Sequence, residues 1–158
     1  MRQAGNTKPP KKDDDYNTPR IAFDLIFKHL NITDQKVWCP FYNNGNLTNI
    51  LHDYNIIHED KDFFSYIPND YFILIDNPPY STKKQIMERC VEIGKPFALL
   101  IPMDTLDRQY TASLMRQGDW SIIIPHKRYK FNDNSVSMPF KVIWLCYKCK
   151  LKQQIIFE

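Results

Sequence analysis

Two apolar runs, Tyr71-Phe72-Ile73-Leu74-Ile75 and Phe97-Ala98-Leu99-Leu100-Ile101, constrain this chain more than any other feature. Neither alternates polar with apolar residues. Each therefore reads as a strand buried on both faces, which happens when helices cover both sides of a sheet. Between them, Ser81 to Ile93 reads as a helix with Gly94 as its C-terminal cap.

The alternation continues in both directions. Thr18-Pro19 reads as a helix start, with Thr as N-cap and Pro at the first helical position. That helix is expected to reach about Leu30 and to bury Ile21, Ala22, Leu25, Ile26 and Leu30 at helical spacing. Short strands are expected at Lys36-Val37-Trp38-Cys39-Pro40 and Asn55-Ile56-Ile57-His58, with a helix from Leu47 to Tyr54 between them. Thr105 to Arg116 reads as helical, and Ser121 to Ile124 and Phe140 to Tyr147 as late strands. No helix separates those two, so an antiparallel edge is expected. The fold class is thus α/β: a mostly parallel twisted sheet, helices on both faces, and an antiparallel edge strand. Residues 16–158 are expected to form one domain. Residues 1–15, with Pro9-Pro10, Lys11-Lys12 and Asp13-Asp14-Asp15, are expected to form a flexible arm.

Composition narrows the function classes. The chain has 158 residues, 43% hydrophobic and 14% aromatic, which suffices for an interior of its own. A net charge of +3 is compatible with a nucleic-acid partner. No apolar run approaches the roughly 18 residues of a membrane span, so no membrane association is expected. Cys39, Cys90, Cys146 and Cys149 follow no secretory-type leader and are expected to be reduced thiols in a cytoplasmic compartment. Cys146 and Cys149 have the spacing of half a zinc site, but no second pair follows, and His29, His52, His58 and His126 are scattered; no metal is expected. Neither a Gly-x-Ser-x-Gly elbow nor a phosphate loop ending in Gly-Lys-Ser/Thr occurs. The abundance of Asn, Ile, Lys and Tyr suggests an AT-rich genome, with a virus or phage as one source.

Chemistry concentrates where the first apolar run ends, at Asn77-Pro78-Pro79-Tyr80. Ligands of open α/β sheets bind beyond the carboxyl ends of strands. Two prolines stiffen the turn and remove two N–H donors, leaving it rich in acceptors. The Asn77 side-chain oxygen and the Pro78 carbonyl are placed to accept both hydrogens of one exocyclic amine. Tyr80 offers a flat face for a base, worth about 1–3 kcal/mol in nucleic-acid binders. An adenine amino group is a poor nucleophile because its lone pair is delocalised. Two acceptors on its hydrogens favour pyramidal nitrogen and free that pair for in-line attack on an electrophilic methyl group.

On these residues the chain resembles the class I methyltransferases dependent on S-adenosylmethionine (SAM), and among them the adenine amino-methylating DNA methyltransferases. The resemblance runs from about Tyr16 to Lys148. It implies a Rossmann-like fold, SAM as cofactor, and Asn77, Pro78, Pro79 and Tyr80 as the reaction centre. It also implies that Tyr16 and Thr18, in Tyr16-Asn17-Thr18-Pro19, meet the methionine end of SAM, where a helix N-terminus suits an anion. Cys39, Pro40, Asn43 and Gly45 stand where the family has an acidic residue, Pro, and Gly-x-Gly. Cys39 replaces the acid and Asn43 the first glycine; Asn tolerates left-handed backbone angles better than most residues. Glu59 or Asp60 is implied for the ribose hydroxyls, and Asp62 with Phe63 for the cofactor adenine.

In His126-Lys127-Arg128-Tyr129-Lys130-Phe131, basic residues interleave with aromatics, as a phosphate backbone and an extruded base would require. The resemblance implies an aromatic there that stacks on the base: Phe131 first, Tyr129 second, with Lys127 and Arg128 on phosphates. The implied activity is methyl transfer to the N6 amine of adenine in DNA, ahead of RNA. A partner subunit is one way to supply target recognition. The altered residues Cys39 and Asn43 motivate an alternative, a non-catalytic scaffold of the same fold. A protein glutamine amide is a further substrate that the same turn would hold.

Overall fold

A computed structural model describes residues 17–131 and 137–158. The expected arm and Tyr16 lie outside the described residues.

Among the described residues, seven strands form one sheet. In chain order they are β1 (Val37–Trp38), β2 (Ile56–Ile57), β3 (Ile73–Asp76), β4 (Phe97–Pro102), β5 (Trp120–Ile124), β6 (Val142–Tyr147) and β7 (Ile155–Phe157). Their spatial order is β2-β1-β3-β4-β6-β5-β7. β2, β1, β3 and β4 are mutually parallel; β6 runs antiparallel to both β4 and β5. The sheet is therefore mostly parallel, with its reversed strand toward one edge, as expected. Beyond it, β7 pairs parallel with β5, a strand the sequence did not suggest. Its three residues are largely exposed, so no buried apolar run marks it.

The helices are α1 (Arg20–Leu30), α2 (Leu47–Ile50), α3 (Lys83–Ile93) and α4 (Gln109–Met115). Side chains alternate across each strand, so one sheet serves two cores. Ile73, Ile75, Ala98, Leu100 and Trp144 face α1; Leu74, Phe97, Leu99, Ile101 and Leu145 face α3 and α4. The Trp144 Nε1–H donates to the Ala22 carbonyl at 3.0 Å and ties α1 to its face.

Four expectations change. Ile21 is 65% exposed, while Phe23 and Phe27 are buried with Ala22 and Ile26. Periodicity allowed both stripes, and the larger aromatic area decided the rotation. α1 begins at Arg20 after Pro19, and Thr18 caps nothing through its side chain. α2 stops at Ile50, and Tyr54 instead packs on Phe27 with ring centroids 4.2 Å apart. The first apolar run starts its strand only at Ile73, with Phe72 exposed.

Candidate functional site

Parallel pairing puts the carboxyl ends of β1, β2 and β3 at one edge, in register from Val37 to Ile56 and Ile73. A cavity of about 420 Å³ opens there, within the usual size of small-molecule sites.

Its base is built on Asp76, the last residue of β3 and only 3% exposed. One carboxylate oxygen accepts from the Phe41 N–H at 2.8 Å, the other from the Asn77 N–H at 2.8 Å. Burial pushes this carboxyl up to about 8, against the pull of the two backbone donors. The sequence reading passed over Asp76; a carboxylate ending a fully buried strand was the available signal.

Asn77 also walls the cavity. Its Nδ2 donates to the Thr18 Oγ1 at 2.9 Å, while its Oδ1 is buried without a hydrogen-bond partner. This contact explains why Thr18 does not cap α1: its oxygen is engaged across the cavity mouth. Pro78 is buried, Pro79 lines the cavity, and Tyr80 starts a 3-10 turn that runs into α3. The Tyr80 ring meets Phe140 edge-on at 6.0 Å and is not among the cavity-lining residues.

The second wall is the loop after β1. Pro40, Phe41, Tyr42 and Asn43 line the cavity. Cys39 does not: it is fully buried in the core under α1. Burial, then the nearby Asp76 charge, pushes its thiol well up, so it stays neutral and cannot stand in for a carboxylate. Asn43 adopts φ 50°, the left-handed turn expected of it. Gly45 has φ +74°, and a Cβ there would lie 2.6 Å from the Tyr42 hydroxyl oxygen. Gly45 thus lets the Tyr42 ring fold back. That ring in turn stacks on His58, centroids 5.1 Å apart. The His58 Nδ1 sits 2.8 Å from the Cys39 carbonyl, which makes Nδ1 the protonated nitrogen. Neither Tyr42 nor His58 was anticipated, because their stack joins loops that are separate in sequence.

The loop after β2 closes the site. Asp60, Asp62 and Phe63 line the cavity; Glu59 points elsewhere and accepts from the Tyr66 hydroxyl at 3.1 Å. Between the two acids left open, Asp60 is the one at the cavity. Asp62 also organises its own turn, taking the Phe64 N–H on its carboxylate at 3.1 Å. Phe63 packs between Trp38 and Phe41, with centroids at 5.6 and 5.2 Å.

The basic loop behaves differently from its reading. Phe131 is 1% exposed and Tyr129 is buried with it in the α1-side core. Neither presents a face for stacking on a base: burying large rings removes the most apolar area from water, and the two rings meet each other edge-on at 6.5 Å. Burial also pushes the Tyr129 phenol up to about 12. Lys127 and Arg128 are exposed and do not line the cavity. Lys148 turns through φ 53° just past β6, so Cys149 leaves the strand and its thiol reaches back to the Tyr147 carbonyl at 3.4 Å. Among the described residues no group of three metal-ligating side chains lies together, and no helix is long and apolar enough to cross a membrane.

No protein-family model matches the sequence, and no curated protein matches it. Solved structures do resemble it. One is the 23S rRNA methyltransferase ErmE: 13% identity, TM-score 0.57, covering 86% of this chain and 71% of that one. A second is a dimethyladenosine transferase from Plasmodium falciparum: 13% identity, TM-score 0.58, covering 84% of this chain and 62% of that one. A third is the tRNA methyltransferase TrmI from Aquifex aeolicus: 12% identity, TM-score 0.50, covering 82% of this chain and 68% of that one. This chain therefore spans less than two-thirds of the Plasmodium protein. The fold is the α/β, Rossmann-like methyltransferase fold.

Proposed function

We propose that this chain transfers a methyl group from SAM to the N6 amino group of adenine in a nucleic acid. The observation that carries the reading is the unpartnered, buried Oδ1 of Asn77, set at the carboxyl end of a central strand beside the cavity. A buried acceptor without a donor is costly, and an amine hydrogen would satisfy it.

The residues present fit the cofactor. Asp60 and Asp62 bring acceptors for hydroxyl and amine hydrogens, and Phe63 and Phe41 an apolar wall for an adenine ring. Thr18 brings a hydroxyl beside the start of α1, where a carboxylate is favoured. Position 39 brings no carboxyl group to the cavity, but Asp76 lies at its floor. When bound, SAM supplies an electrophilic methyl group. The protein's part is to hold the amine: Asn77 Oδ1 and the Pro78 carbonyl accept its hydrogens and leave the nitrogen lone pair free to displace sulfur. The methylated nitrogen then loses a proton to water.

DNA is the polymer suggested by the Asn-Pro-Pro-Tyr turn. RNA is the second reading, favoured by two similar structures named for rRNA and for dimethyladenosine. With Phe131 and Tyr129 buried, contacts to the polymer fall to exposed Lys127 and Arg128, or to a partner subunit. The scaffold alternative weakens, because Asn43 keeps the turn and Cys39 lies beneath the cavity rather than in it.

The test is transfer of labelled methyl from SAM to DNA, RNA and protein by the wild-type chain and by Asn77→Ala. Asn77→Ala should lose at least about a hundredfold in turnover and keep its affinity for S-adenosylhomocysteine within a few-fold. Full activity in that variant would defeat the mechanism.

A further inference from the structure

We propose that Thr18 is a positioning residue that decides which end of the Asn77 amide meets the substrate, and so makes the site read an amine rather than a carbonyl. The inference rests on the reading of Asn77 above. A side-chain amide is ambiguous: turned one way it presents an acceptor, turned the other a pair of donors. The Asp76 carboxylate fixes only the backbone N–H of Asn77 and leaves this choice open.

Thr18 settles it. Its side chain belongs to a residue only 7% exposed, and its Oγ1 receives the Asn77 Nδ2–H at 2.9 Å. The two residues are 59 positions apart and both wall the cavity. With Nδ2 committed to Thr18, Oδ1 is the atom left without a partner. A threonine hydroxyl can also donate, however, which would hold the amide in the reverse sense. The hydroxyl has a single hydrogen. Whenever a ligand acceptor takes that hydrogen, only lone pairs remain toward Asn77, and the observed orientation is enforced. An acceptor on one ligand and an amine on the other are thereby coupled through one hydroxyl.

The experiment compares Thr18→Val, which keeps the shape and removes the hydroxyl, with Thr18→Ser, which restores it. Affinity is measured, with S-adenosylhomocysteine present and absent, for two oligothymidylates carrying either a single adenine or a single hypoxanthine, whose 6-position is a carbonyl. The wild-type chain should prefer adenine, and more strongly with S-adenosylhomocysteine present. Thr18→Val should lose about tenfold of that preference, and its dependence on S-adenosylhomocysteine, while remaining folded with a thermal midpoint lowered by several degrees at most. Thr18→Ser should recover both. Unchanged adenine preference in Thr18→Val overturns the inference, as does a wild-type chain that binds both oligonucleotides equally. If Asn77→Ala abolishes methyl transfer while Thr18→Val leaves both turnover and preference intact, the inference fails alone. If the wild-type chain transfers no methyl group, the underlying reading fails with it.

Discussion

The Asp76 carboxylate accepts a 2.8 Å hydrogen bond from the backbone N–H of Phe41, across a separation of 35 positions. Its other oxygen holds the Asn77 N–H. One buried side chain therefore joins the loop after β1 to the Asn-Pro-Pro-Tyr turn after β3. Under the proposed function, those are the two walls between which a methyl donor and an amine would have to meet.

Replacing that link should be costly. In Asp76→Ala both N–H groups lose their acceptor, and each unsatisfied buried donor costs about 1–3 kcal/mol. Urea denaturation should show a loss in that range or above it. Calorimetry should show S-adenosylhomocysteine bound at least about tenfold more weakly, since both walls are released. Unchanged stability would mean that water replaces the carboxylate at no penalty.

The same group sets a pH dependence. Its folded-state value of about 8 lies above the usual carboxylate value. Stability from the neutral form is therefore complete below the ordinary carboxylate range and is lost as pH rises through about 8. Asp76→Asn cannot titrate, and the other groups contribute alike to both proteins. The unfolding free energy of wild type minus that of Asp76→Asn should fall from about pH 5 to about pH 8 and level off above it. A difference flat over that window would show the two N–H donors outweighing burial.

Gly45→Ala addresses the stack of Tyr42 on His58. Alanine meets two penalties there, a backbone at φ +74° and a Cβ 2.6 Å from the Tyr42 hydroxyl oxygen. The left-handed penalty alone is roughly 1–2 kcal/mol. Tyr42 must swing away, which uncovers His58. Thermal melting should fall by several degrees, and S-adenosylhomocysteine affinity should drop. A drop in affinity with an unchanged melting midpoint would separate the two penalties.

Much of this was legible in the chain. Phe97 to Ile101 reads as a strand covered on both faces and is one, and Gly94 closes α3 in the left-handed conformation, at φ 78°. The Asn-Pro-Pro-Tyr turn follows β3, and Asn77 and Pro79 line the cavity there. What escaped depends on azimuth and on distant pairing. Periodicity could not choose between Ile21 and Phe23 for burial, because neighbouring faces of α1 carry both. Phe131 read as a stacking ring because basic residues surround it, but sequence does not say that the ring folds under them. Cys39 stands beside lining residues without being one, since its side chain continues the alternation of β1 and points with Val37 into the α1-side core. Thr18 and Asn77 were each singled out, yet nothing local reveals that they touch.

The uneven stitching of the sheet has a further consequence. β1 and β2 share only two aligned residue pairs, whereas β4 and β6 share six. Breathing motions should therefore concentrate on the β1–β2 flank, next to the cavity, while the β4–β6 side keeps its shape. A molecule seated between those loops would act as the missing rungs of a short ladder. Occupancy and order on that flank would then rise together.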